Sequence, residues 1–252
     1  MKIALCLMGV VGAAEKKYGV GHPIDPRIGH YFYKKHIFDC NDVDVFIHSW
    51  STDFEKEFIE LYNPKKYLIE KQININQNDV RTNSVASRWY STATSINLKS
   101  SYEKENNIEY DFVMVGRFDC MFNKDIIFSH FNKNNFYISH VNECYNKPCK
   151  CNIGDMYSDL WAFGNSKDIN TFGSLYEQWG EYGINNPHKE LKHHIQKTGL
   201  QQKLKHVFYE RYDHYPIRTQ FINCHYNPSI DLNINNLKTF KWGEGYAKRT
   251  KK

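Results

Sequence analysis

Apolar residues fall in short, nearly continuous runs separated by stretches of helical spacing. Ile3 to Met8 is the first run, and Val43 to Trp50 (Val-Asp-Val-Phe-Ile-His-Ser-Trp) is the second. Lys66 to Ile69 is a shorter third, followed by Tyr110 to Arg117, Phe136 to Val141 and Leu160 to Phe163. Apolar runs of about four to eight residues fit strands buried on both faces, as in a mostly parallel sheet. Between them, Arg27 to Phe38 places Ile28, Tyr31, Phe32 and Ile37 at near-helical spacing. Asn83 to Lys104 is the clearest helix: Val85, Trp89, Ala93, Ile96 and Ser100 follow one another at steps of three or four, with Asn83 or Ser84 as N-cap. Phe172 to Tyr182 and Lys189 to Leu204 are two more, the second ending near Gly199.

Strands alternating with helices in this order predict an α/β fold with a Rossmann-like, mostly parallel central sheet and helices on both faces. No internal repeat or long linker divides the chain, so residues 1–252 are expected to form one domain. The periodicity fades from about Pro228, which predicts that 228–252 is a tail, either wrapped on the domain or mobile.

Composition narrows the partners. The 252 residues are 41% hydrophobic and 15% aromatic, enough for a sizeable core and for rings that stack on flat ligands. The net charge of +5 is modest, and the only basic run is Lys248-Arg249-Thr250-Lys251-Lys252, so no nucleic-acid partner is expected. A weak positive field suits a phosphorylated ligand or peripheral contact with an anionic membrane surface. No stretch approaches the roughly 18 apolar residues of a transmembrane span. Met1 to Val11 lacks the features of a signal peptide and reads as a first strand. Seven scattered cysteines point to a reducing, cytoplasmic setting. Cys144, Cys149 and Cys151, with His140, could hold zinc, but their spacing is not a paired C-x-x-C, and a disulfide or free loop thiols fit better.

In an open α/β sheet, ligands bind beyond the carboxyl ends of the strands. The first run leads into Gly9-Val10-Val11-Gly12, the second ends in His48-Ser49-Trp50, and the fourth ends in Arg117-Phe118-Asp119. The last follows Gly154-Asp155 and Asp159. Residues two apart on a strand share a face, so Arg117 and Asp119 are expected side by side. An arginine clamps phosphate and an aspartate can hold a divalent cation, although a structural Arg–Asp pair fits the spacing equally. Asp42-Val43-Asp44 is a literal D-x-D, but it precedes its apolar run and so belongs to the opposite end of the sheet.

Taken together, Met1 to Gly9, Asp44 to Trp50, Ser84 to Lys99 with Trp89-Tyr90-Ser91, Tyr110 to Asp119, and Asp159-Leu160-Trp161-Ala162-Phe163-Gly164 resemble the block order of small GT-A-type glycosyltransferases. These occur in bacterial capsule and lipopolysaccharide loci and in large DNA viruses. The resemblance covers roughly residues 1–220. It implies a GT-A fold, a nucleoside-diphosphate sugar donor, a glycan or other hydroxyl acceptor, often Mn2+ or Mg2+, and a place in the cytoplasm of a bacterium or an infected host cell. It puts Asp119 at the last acid of the metal-binding motif, Arg117 just before it, Gly9 at the nucleotide pocket, and Asp155 or Asp159 facing the acceptor. Arg117-Phe118-Asp119 departs from a true D-x-D, and the loop from Val10 to Pro26 departs from the short polar turn of that group.

Glycosyl transfer through an oxocarbenium-like state needs charge neutralisation on the leaving diphosphate and, in an inverting enzyme, a carboxylate to take the acceptor proton. Asp159 is the first choice for that carboxylate and Asp155 the second. His48, Trp89, Tyr90 and Arg218 are further donor-binding candidates, and His225 a further metal candidate. Rival readings are a sugar-phosphate nucleotidyltransferase, for which Gly9 to Gly21 has glycines and Lys16-Lys17 but not at a phosphate-cradling spacing, and a non-enzymatic carbohydrate-binding module. A zinc-stabilised interaction module, resting only on the three cysteines, is a third.

Overall fold

A computed structural model describes residues 1–12, 23–75, 80–140, 156–183, 186–209 and 213–217. The chain runs β1 (Ile3–Gly9), α1 (Pro26–His36), β2 (Val43–Ser49), α2 (Glu55–Tyr62), β3 (Lys66–Ile69), α3 (Val80–Asn106), β4 (Phe112–Arg117), β5 (Cys120–Phe122), β6 (Phe136–His140), β7 (Trp161–Gly164), α4 (Ser166–Gly173), α5 (Leu175–Gln178), α6 (Pro187–Lys197), β8 (Leu204–Tyr209) and β9 (His214–Pro216).

Seven strands form one sheet in the order β3-β2-β1-β4-β7-β6-β8. β1 pairs in parallel with both β2 and β4, β2 with β3, and β6 with β8. The expectation of a mostly parallel sheet therefore holds, with β7 as the antiparallel exception between β4 and β6. β5 and β9 form a separate two-stranded ribbon just beyond β4. The result is a Rossmann-like α/β arrangement with helices on both faces. Ile28, Phe32 and Tyr33 of α1 and Phe58 and Tyr62 of α2 pack on one face. Val85, Trp89 and Ile96 of α3, Ile169 and Phe172 of α4, Leu175 of α5, and Leu191 and Ile195 of α6 pack on the other.

The helix starts are chemically specified. Asp25 caps α1 by accepting the Arg27 N–H at 2.9 Å, and Pro26 fills the first turn where no N–H is needed. Asn186 caps α6 in the same way, accepting from His188 and Lys189 ahead of Pro187. The expected cap of α3 at Asn83 or Ser84 is overturned. The helix already includes Val80, and Asn83 Oδ1 accepts the N–H of Ile75 at 2.7 Å. The expected helix over Phe172–Tyr182 starts earlier, at Ser166, and breaks into α4, α5 and a 3-10 turn. The expected helix over Lys189–Leu204 stops at Lys197; Gly199 takes a left-handed φ of 79°, and the chain turns into β8. β3 is an edge strand with Tyr67 and Leu68 exposed, so the expectation of burial on both faces fails there.

One close approach positions the site. A Cβ on Gly29 of α1 would lie 1.9 Å from the Phe118 carbonyl oxygen, so only glycine lets α1 pack against the turn after β4. Tyr33, four residues on, donates its hydroxyl to the Arg117 carbonyl at 2.7 Å. Together they fix the backbone of Arg117-Phe118-Asp119. Among the described residues no helix is long and apolar enough to cross a membrane.

Candidate functional site at the sheet switch point

Strand order reverses between β1 and β4: the chain builds outward from β1 through β2 to β3, then returns to β1's other side with β4. Ligands of open α/β sheets bind beyond the carboxyl ends of the strands at such a switch point. Met8 and Gly9 end β1 there, level with Arg117 at the end of β4. Gly9 has φ 96°, which favours glycine, and a Cβ there would meet nothing within 4 Å, so open space adjoins its backbone.

Four charges meet at this point. Arg117 Nε and Nη2 each donate at 2.7 Å to the two oxygens of Asp119, a bidentate fork. Asp119 is fully buried, and the Arg117 side chain is only 13% exposed. Arg88 of α3 brings Nε to 3.2 Å from Asp159 Oδ2, and its Nη1 donates to the Met8 sulfur at 3.3 Å. His188 Nδ1 lies 3.7 Å from Asp159 and 2.9 Å from the Tyr157 carbonyl. Two arginines and two aspartates cancel, so the cluster is neutral without a ligand.

The pKa shifts follow from this crowding. Burial pushes the Asp159 carboxyl up, but Arg88, His188 and Arg117 outweigh it and hold it down at about 2. Burial also pushes the Asp119 carboxyl up, against the pull of Arg117 and Arg88. For Arg117, burial acts downward and the Asp119 carboxylate more than reverses it, so its pKa rises. Burial alone would favour a neutral Asp119, yet both its oxygens accept charged N–H donors, the geometry of an ionised pair. Asp159 yields a direct prediction. Its depressed pKa contributes stability that is complete above about pH 4 and is lost as the pH falls toward 2. The shift from 3.8 to about 2 corresponds to about 2 kcal/mol. Urea denaturation of the wild type should show that loss between pH 4 and 2, and Asp159→Asn should flatten it; an unchanged slope in the variant would contradict the pairing.

Beside the charged cluster, β1 and β2 are locked to α3. The Gly9 N–H donates to Ser91 Oγ at 2.7 Å, and Ser91 Oγ lies 2.7 Å from His48 Nδ1. His48 Nε2 faces Glu70 at 3.2 Å, and Tyr90 donates its hydroxyl to the same carboxylate oxygen. Ser91 Oγ also donates to the His48 carbonyl at 3.4 Å. Burial lowers the His48 pKa, against the pull of Glu70. Trp50 stacks on Tyr90 at 5.3 Å.

The structure thus brings Gly9, Arg117, Asp119 and Asp159 together. His48 and Trp89 are buried. His48 is fully buried with both ring nitrogens engaged, and Trp89, 1% exposed, donates its indole N–H to buried Glu190 at 2.9 Å. Both have structural partners within the fold, while Tyr90 stays partly exposed at the rim. Asp155, Arg218 and His225 lie outside the described residues, as do Lys16, Lys17, Cys144, Cys149, Cys151 and the 228–252 tail. The Asp42-Val43-Asp44 segment sits at the far end of the sheet, where Asp44 accepts the Tyr110 hydroxyl at 2.7 Å.

Arg88 was not among the expected site residues. Its sequence signal is an arginine three positions after core Val85, on a helix that offers it no acidic partner within four residues. A divalent cation does not fit the described residues as they stand. Asp119 offers one carboxylate, and both its oxygens already accept from Arg117; no group of three or more His, Cys, Asp or Glu among the described residues is arranged to hold an ion. No family model matches the chain, and no curated protein matches it.

Proposed function

We propose that the chain is a glycosyltransferase of GT-A type that takes a nucleoside-diphosphate sugar and transfers the sugar to a glycan or other hydroxyl acceptor. The observation that carries this reading is the pair of largely covered arginines, Arg88 and Arg117, at the carboxyl ends of β1 and β4. Arg117 forks onto Asp119, and Arg88 Nε lies 3.2 Å from Asp159 as an ion pair. A diphosphate arriving at the open side of Gly9 meets guanidinium groups already desolvated and aimed. Preorganised donors of this kind stabilise the charge that develops on a leaving diphosphate. The mixed, mostly parallel sheet with its switch point supports the same reading.

A carboxylate held near pKa 2 is a weak base at neutral pH. Asp159 therefore serves this reading better as the counter-charge that aims Arg88 than as the group that takes the acceptor proton. No step is routed through a metal.

The test is a panel of UDP-, GDP- and dTDP-sugars screened by thermal shift, with Mn2+ in one arm and EDTA in the other. At about 100 times its Kd, a true donor should add about 3 kcal/mol and raise the Tm by roughly 5 °C or more. Stabilisation by none of them, in either arm, would contradict the transferase reading.

A further inference from the structure

Strand β8 contains an irregularity that the switch-point site does not explain. Ile138 pairs with His206 and His140 with Tyr209, so β8 advances three residues while β6 advances two. The extra residue is absorbed at Phe208, whose φ of 58° lies in the left-handed region, a strained setting for a bulky side chain. Period-two alternation would send His206 and Tyr209 to opposite faces of the sheet. The bulge re-aims Tyr209 so that both rings meet His140. The His140 and Tyr209 rings stack at 4.5 Å with an interplanar angle of 9°, and His140 and His206 lie 4.9 Å apart at 33°.

Tyr209 is 51% exposed, yet it is held flat rather than left to swing. By strand alternation His140 shares the α3 face with Ile138, and Arg117 shares it with Val113 and Val115. The stack is also connected to the charged cluster: Tyr157 meets His206 edge-on at 5.3 Å, its carbonyl accepts from His188, and His188 adjoins Asp159. β6 and β8 are the second and third strands from β4, which puts the shelf roughly 10–15 Å from the arginines, the reach of a sugar chain rather than of one phosphate.

We propose that Tyr209, His140 and His206 form the acceptor shelf, on which a pyranose ring of the acceptor glycan lies; this rests on the transferase reading of the neighbouring site. A pyranose has an apolar C–H face that matches a flat, exposed ring, and hydroxyls on its edge that match imidazole nitrogens. Burial lowers the His140 pKa, with His206 adding to it, so that imidazole is neutral and able to accept as well as donate.

Methyl glycosides of glucose, galactose and N-acetylglucosamine serve as probes in saturation-transfer NMR on the full chain. Nucleoside-diphosphate affinity and donor hydrolysis by water are measured in parallel. At least one glycoside should bind the wild type. Tyr209→Ala should weaken it about tenfold, the order expected for one lost ring stack, Tyr209→Phe should retain it, and nucleotide affinity and donor hydrolysis should be unchanged. Three results would overturn the shelf: no glycoside binding to the wild type, glycoside binding untouched by Tyr209→Ala, or a loss confined to nucleotide affinity. Failure of the wild type to bind any nucleotide is read in its own arm and would defeat the transferase reading instead.

Discussion

Replacing Arg117 with alanine is expected to cost about 3–5 kcal/mol of stability, because it takes both guanidinium donors away from a fully buried carboxylate. Asp119 is fully buried, and both its oxygens accept from the Arg117 guanidinium. Removing one member of a buried pair leaves the other's desolvation uncompensated, whereas removing both removes the problem. The double variant Arg117→Met with Asp119→Leu should therefore recover more than half of the loss, although it leaves Arg88 as the sole arginine of the pair. Urea denaturation at pH 7 measures both. A loss below about 1 kcal/mol in the single variant would mean that Asp119 finds water or another partner, as an exposed pair does.

The second large effect belongs to His214, on the ribbon strand β9. Its ring packs 5.2 Å from Trp161 and 6.3 Å from Phe122, and neither nitrogen has a hydrogen-bond partner. Burial pushes its pKa down from 6.5 to about 3, against a small pull from Asp213. Below pH 6.5 the unfolded chain takes up a proton that the folded chain refuses, so stability falls as the pH drops from 6.5 toward 3 and is unaffected above. The loss is on the order of 4 kcal/mol by pH 3. His214→Phe keeps a ring between Trp161 and Phe122 and removes the proton site. It should match or exceed wild-type stability at pH 7 and shift the acid unfolding midpoint downward. The window separates it from Asp159, whose contribution is lost only below about pH 4. An acid profile identical to wild type would show that the imidazole is protonated inside the fold.

How much of this was legible in the sequence depended on burial. β1, β2, β4, β6 and β7 announce themselves because both faces are covered, so nearly every position is apolar. β8 does not. Lys205 and His206 interrupt Leu204, Val207 and Phe208, the strand lies at the sheet edge, and its bulge breaks the alternation, so residues 205–209 do not read as a strand. Strand direction is also invisible: a buried run carries no mark of polarity, and the antiparallel setting of β7 comes from the topology around it. For the site, Arg117 and Asp119 were legible as neighbours two apart, although β4 ends at Arg117 and Asp119 lies in the turn beyond it. Arg88 and His188 join them from α3 and α6, across distances that only the fold closes. Burial of Trp89 and His48 is hidden in the sequence for a related reason. Their residue types suit ligand contact, but helix packing and the Ser91 lock put both indoors.

The central claim is that a donor diphosphate lands at the junction of β1 and β4. Met8 is a built-in reporter, because its sulfur accepts from Arg88 at the end of β1 while Met114 sits deeper in β4, facing the opposite core. Methyl-labelled methionine NMR during titration with UDP, GDP and dTDP should show the Met8 resonance moving in step with binding while Met114 stays in place. Binding that leaves Met8 unmoved would place the nucleotide elsewhere and contradict the account.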